Sequence, residues 1–147
     1  MIDTKHIGTV LSRHAVDVEA GRLRFFAKAT GQTDPRYTDV GAAAAAGYPS
    51  LPVPPTFLFC LEMDAPNPRA AIELLGIDIG RILHGEQSFR YHRMAFAGER
   101  LHLEMRIADI YEKKGGALGF VVRETRVTDA NGEPVADLRG VVVVRNS

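Results

Sequence analysis

The sequence offers little to a metal, a disulfide, a nucleic acid or a membrane. Its 147 residues include one cysteine, Cys60. That leaves no intramolecular disulfide and no cysteine-based metal motif. Cys60 sits in an apolar run and reads as a buried small hydrophobe. Lys and Arg total 18, Asp and Glu also total 18, and no block of like charge stands out. The basic footprint that nucleic acid or an anionic membrane requires is therefore missing. No stretch approaches the roughly 18 apolar residues of a membrane span. Residues 1–20 carry scattered charges where a signal peptide would have its apolar core, so a soluble, cytoplasmic protein is expected. His6, His14, His92 and His102 fall on polar patterns and read as solvated, and their spacing matches no zinc motif. No metal and no cofactor is expected.

What is present suggests one domain spanning residues 1–147. A chain of this size buries about 70% of its unfolded surface, enough for one core. Zero net charge weakens colloidal repulsion. With 46% hydrophobic residues, a homo- or hetero-oligomer is expected.

The two halves differ in period. Thr9–Val16 reads as a short strand. Asp17 is a candidate N-cap for a helix over Val18–Thr30, with Leu23, Phe26 and Ala27 at i, i+3 and i+4, and Val18 or Phe25 widening the stripe. Gly31 follows where a left-handed residue closes a helix. Asp39 caps a short alanine helix that Gly47 ends. Four prolines between residues 49 and 55 lead into a helix over Thr56–Asp64 that is apolar on most faces and therefore buried. Arg69–Leu75 gives another short helix, closed by Gly76. From about residue 84 the period becomes two. Gln87, Phe89 and Tyr91 share a face, as do Leu101, Leu103, Met105 and Ile107. Lys114-Gly115-Gly116 and Asp129–Gly132 are turn signals between strands over Leu118–Thr128 and Val135–Arg145. The expectation is an α+β domain. Four carboxy-terminal strands form an antiparallel meander, the amino-terminal segment adds a fifth, and the sheet wraps the helix after Pro55.

"GYPSLPVPPTF" followed by "LHGEQSFRYHRMAFAGERLHLEMRI" resembles the MaoC-like, or fatty-acid-synthase-type, dehydratases of the hot-dog fold. The resemblance runs from about Val16 to Arg145. It implies a helix cradled by an antiparallel sheet, with acyl groups on coenzyme A or acyl carrier protein bound between protomers. The implied reaction is the reversible, (R)-specific addition of water to a 2-enoyl thioester. Active members carry Gly-Asp-x-Asn-Pro-x-His, whose Asp and His hold and activate the water. Here the loop reads Gly31-Gln32-Thr33-Asp34-Pro35-Arg36-Tyr37. Gln32 stands at the Asp position, Asp34 at the Asn position and Tyr37 at the His position. This pattern is similar to the amino-terminal, FAS1-like branch, whose members often pair with a second hot-dog half that supplies the catalytic residues. Such a half is expected here as a separate chain, although a homodimer is also open.

Hydration of an enoyl thioester needs a base for water, an acid for the α-carbon and donors for the enolate oxygen. The backbone N–H groups of Thr56 and Phe57, or of Gly47, are candidate donors at the helix start. Gln32 is no base, and Tyr37 keeps its proton at neutral pH. Asp34 would serve if burial raised its pKa; otherwise it is a turn residue. His84, beside Gly85 at the entrance to a strand, is the second candidate base, or else bonds a loop carbonyl. Gln87 lies on an apolar face, and its amide needs partners there, ligand or protein. Arg90, Arg93 and Arg100 match coenzyme A phosphates, or form a solvated face. Asp34, Tyr37 and His84 are thus catalytic candidates, and Gln32, Thr56, Phe57 and Gln87 substrate-binding candidates. Two other functions stay open: an acyl-CoA thioesterase using Asp34, and a non-catalytic binding or structural subunit.

Overall fold

The structure, a computed structural model, describes residues 1–146. Strand β1 (Val10–Asp17) is followed by α1 (Ala20–Ala29), α2 (Val40–Ala45), α3 (Leu58–Glu62) and α4 (Ala70–Leu74). Four strands complete the chain: β2 (Ile82–Tyr91), β3 (Arg100–Lys113), β4 (Leu118–Thr128) and β5 (Pro134–Arg145). They form one antiparallel sheet in the order β1-β3-β4-β5-β2.

Only β3, β4 and β5 make the expected meander. β2 pairs with β5 and forms the far edge. The reason lies in residues 92–99, which carry no tight-turn signal and spend their backbone elsewhere. Ala95 O accepts from Val53 N, Ala97 N donates to Leu51 O, and Gly98 N donates to Val18 O. Val18 N in turn donates to Glu99 O. That pairing keeps Val18 extended, so α1 begins at Ala20 after Glu19 rather than at Val18, and Asp17 stays in β1, paired with Arg100 at 2.9 Å. Leu23 and Ala27 are buried as expected, whereas Phe25 is 74% exposed and lies outside the stripe. Asp39 caps α2 by accepting from Gly41 N and Ala42 N. Helices α1, α2 and α4 all end in the same way, at Gly31, Gly47 and Gly76 with positive φ. In each, the N–H after the glycine reaches back to a carbonyl of the last turn: Gln32 to Ala27, Tyr48 to Ala43, Ile77 to Ile72.

Helix α3 is shorter than the sequence pattern suggests. The chain tightens to i→i+3 bonds at both ends, with Phe59 N to Thr56 O and Asp64 N to Leu61 O. Leu58 and Leu61 are fully buried against Leu101, Leu103, Val127, Ala136 and Leu138 of β3, β4 and β5. The edge strands reach the same helix. His14 of β1 bonds Leu61 O at 2.9 Å, and His84 of β2 stacks on Phe59 with centroids 5.3 Å apart. A flat five-stranded sheet is about 19 Å wide, and a five-residue helix is about 7.5 Å long. Both edges meet α3 because the sheet curves around it. The helix is not enclosed on every side: Met63 is 51% exposed, and Phe59 and Cys60 are half-buried.

Part of the outer face of the sheet meets water, while Val122 and Val141 on that face are buried. One row across all five strands reads Arg13, Glu104, Arg126, Asp137, Arg90 in register, alternating in sign. Opposite charges on adjacent strands support the pairing. The balanced charge of the sequence is laid out strand by strand.

Leu61→Ala should lower stability by about 2–5 kcal/mol, whereas Met63→Ala, on the open side of α3, should stay within about 0.5 kcal/mol. Chemical denaturation of both variants checks this. Equal losses would mean that α3 does not seat as described.

Candidate functional site

The candidate residues separate into two groups. The first lies at the entry to α3. Pro54 is buried and Pro55 exposed, and the chain turns there through Phe57 N to Pro54 O at 2.9 Å. Tyr91, at the end of β2, donates its hydroxyl to Pro55 O at 2.7 Å. Burial pushes the Tyr91 phenol above its ordinary value, and nearby Tyr37 adds to the rise. Tyr37 therefore lies close enough to Tyr91 to act on its charge.

This geometry revises the expected donors. Phe57 N–H is spent on Pro54 O, and Gly47 N–H on Ala44 O. The Phe57 side chain is buried, edge-on to Phe26 at 5.3 Å. Thr56 is exposed, and its N–H has no acceptor among the described residues. Five residues of α3 also give only a small dipole, so a single oriented N–H is what the entry offers.

The loop before α2 is occupied by its own contacts. Gln32 Oε1 accepts from Asp34 N at 3.1 Å. Asp34 caps the 3₁₀ turn Pro35–Tyr37 by accepting from Arg36 N at 3.0 Å, and its carboxylate also takes the Arg36 guanidinium. The burial that would raise its pKa is absent. The Arg36 guanidinium and backbone N–H hold Asp34 below the ordinary carboxylate range, which makes it a weak base. Two of the three arginines proposed for phosphates are engaged, Arg93 with Glu99 and Asp129 and Arg100 with Asp17, whereas Arg90 is exposed and makes no ion pair among the described residues.

The second group lies along β2. Its inner-face side chains run Tyr91, Phe89, Gln87 and, past an irregularity at Gly85, His84. Seven residues of strand put His84 about 20 Å from Tyr91. His84 is exposed and stacked on Phe59, away from the loop of Gln32 and Asp34. Gln87 is in register with Gly140 of β5 and Arg123 of β4. Neither atom of its amide has a partner among the described residues.

Around Gln87 stands a set of residues that sequence reading missed. Glu62 of α3 is 6% exposed and faces the sheet. Burial pushes its carboxyl above the ordinary range, against the lowering influence of Thr125, Arg123, His84 and His14. Burial lowers Arg123, which Glu62 partly offsets. Thr125 is 2% exposed, and its hydroxyl lies near Glu62 but outside hydrogen-bonding geometry. His14 is not solvated as expected: Nε2 is held by Leu61 O, and Nδ1 is buried. The signals were available. Leu58, Leu61 and Glu62 share one helical face at i, i+3 and i+4, and Arg123 and Thr125 alternate with buried Val121 and Val127.

Among the described residues no helix is long and apolar enough to cross a membrane, and no group of His, Cys, Asp and Glu is arranged to hold a metal.

Comparison with known proteins places these features in context. The family described as FAS1-like, dehydratase domain region, matches residues 5–138. A UPF0336 protein of Saccharopolyspora erythraea is 35% identical over 90% of this chain and 84% of its own. The crystal structure of the carboxy-terminally truncated HadBC (3R-hydroxyacyl-ACP dehydratase) complex from Mycobacterium tuberculosis superposes with a TM-score of 0.78 at 26% identity. That match covers 94% of this chain and 96% of the other. A MaoC-like dehydratase superposes at 0.81 with 26% identity, over 95% of this chain and 43% of that longer one. The fold is the hot-dog fold.

The buried Glu62 carries a pH signature. The folded state holds its proton more tightly than the unfolded chain does. Its contribution to stability is therefore full below the ordinary carboxyl pKa and is lost as pH rises toward the raised folded value. Glu62→Gln should remove that slope, so its melting temperature relative to wild type should rise between pH 4.5 and pH 8. A difference in melting temperature that stays flat with pH would refute the assignment.

Proposed function

Because the chain belongs to the FAS1-like dehydratase family, we propose that it is the acyl-thioester-binding subunit of an (R)-specific 2-enoyl-thioester hydratase, or 3-hydroxyacyl dehydratase. A partner hot-dog chain supplies the water-activating Asp and His. The observation that carries this reading is the state of the loop at residues 31–37. Gln32 and Tyr37 stand where a base pair would be, and Asp34 is tied to Arg36 with its pKa lowered. The dehydratase activity belongs to HadBC, itself a complex; its transfer to this chain is the proposal.

In the reaction, water adds its oxygen to the β-carbon and a proton to the α-carbon, and the thioester oxygen carries the enolate charge between these events. This chain contributes binding and orientation. Thr56 N–H is the free donor at the entry to α3, and Tyr91 fixes the peptide plane behind it through Pro55 O. Tyr37 offers a phenol beside it. The proton-moving pair faces this entry from the partner. A route for that partner exists at β2, a ten-residue edge strand with one side unpaired among the described residues. Such an edge is a template for another strand. Phe59, half-buried on the open side of α3, lies next to it.

The test uses crotonyl-CoA and the absorbance of its conjugated thioester. The purified chain alone should leave the absorbance unchanged. The complex isolated with its hot-dog partner from the native host should consume it and yield 3-hydroxybutyryl-CoA. Turnover by the chain alone would defeat partner dependence, and release of free thiol would make the protein a thioesterase instead.

A further inference from the structure

The interior beneath α3 is divided in two, and the division has a chemical character. The front apolar cluster contains Leu58, Leu61, Leu103, Val127, Ala136 and Leu138, with Phe89 and Tyr91 packed against it. The rear cluster contains Ile2, Ile107, Ile110, Val121 and Val144. Between them runs a belt of polar side chains on the same face of the sheet: Gln87 on β2, Arg123 and Thr125 on β4, and Glu62 from α3 above.

Four buried atoms of this belt have no hydrogen-bond partner among the described residues: both ends of the Gln87 amide, Arg123 Nε and Thr125 Oγ1. Gly140 gives the belt its floor. A Cβ there would lie 3.0 Å from Gln87 Oε1 and 3.6 Å from Arg123 Nη2, so both side chains rest over bare backbone. On the β1 side of the belt, a cavity lined by Glu62, Arg123, Leu11, Ser12 and Met105 holds about 10 Å³, room for no more than one water.

On the functional reading above, the thioester carbonyl lies at Pro55–Thr56, beside Tyr91. An acyl chain running inward along β2 then meets Tyr91 and Phe89 first, and Gln87 about 13 Å beyond Tyr91. We propose that the Gln87–Arg123–Thr125–Glu62 belt sets the depth of the acyl site, so that the protein takes short-chain acyl thioesters and refuses long saturated ones. Gln87 and Thr125 are the specificity-determining residues. Methylenes pressed against the belt would face an amide, a hydroxyl and a guanidinium that they cannot hydrogen-bond, leaving those groups unsatisfied. From the Tyr91 side, a chain following the inner face of β2 meets that belt before the rear apolar cluster. A short chain ends in the apolar front region and meets none of this.

This inference rests on the thioester reading, and the experiment separates the two. Binding of crotonyl-, trans-2-hexenoyl- and trans-2-dodecenoyl-CoA is measured by calorimetry on the assembled complex, together with kcat/KM for each. The dodecenoyl thioester should bind about tenfold or more weakly than the hexenoyl thioester. The Gln87→Leu/Thr125→Val double variant should recover about tenfold for dodecenoyl-CoA and little for crotonyl-CoA. Dodecenoyl-CoA binding as tightly as hexenoyl-CoA to wild type overturns the inference and leaves the functional reading intact. A folded double variant without that recovery overturns the two residues' role. If the double variant does not fold, the wild-type length series decides alone. No binding and no turnover with any of the three overturns the thioester reading itself, and the inference with it.

Discussion

The seating of α3 on the inner face of the sheet is the contact on which everything else depends. Five residues of helix meet both edge strands, through His14 and His84, and share one buried cluster with Leu103, Val127 and Leu138 of the three inner strands. That contact forces the sheet to curve and closes the core over Leu58 and Leu61. It also aims the Pro55–Thr56 turn at Tyr91. Displacing the helix would undo the curvature, the core and the candidate site together, because no second helix crosses the same ground among the described residues. α1 and α2 flank the entry, and Leu75 and Ile77 after α4 cover the rear cluster.

Much of this was legible in the sequence, for local reasons. Asp39, Gly31, Gly47 and Gly76 mark helix ends because capping and left-handed closure need those side chains, or their absence. The β3–β4–β5 meander followed from two turn signals. What stayed hidden depended on long-range pairing. Nothing near β2 says that it will pair with β5 instead of its neighbour in sequence. Val18 reads as helical until Glu99 and Gly98 claim its backbone. The apolar pattern predicts a helix longer than Leu58–Glu62, because apolar composition reports burial and not hydrogen-bond spacing.

The candidate site was legible in type and less so in arrangement. The loop at Gly31–Tyr37 could be aligned by its Gly and Pro, and the departures at Gln32, Asp34 and Tyr37 were visible. That Asp34 would be captured by Arg36 was not, since either state fits an Asp-Pro turn. Glu62 was overlooked because one carboxylate in "FLFCLEMD" looks like the end of an apolar helix. Its helical face, shared with Leu58 and Leu61, was the better guide.

The bond between His14 and Leu61 has one more consequence. A carbonyl oxygen can only accept, so Nε2 of this imidazole must carry the hydrogen. That hydrogen stays on Nε2 for as long as the helix rests in its cradle. A nitrogen-15 spectrum of that ring would therefore serve as a built-in gauge of docking, reporting helix lift-off before the chain as a whole comes apart.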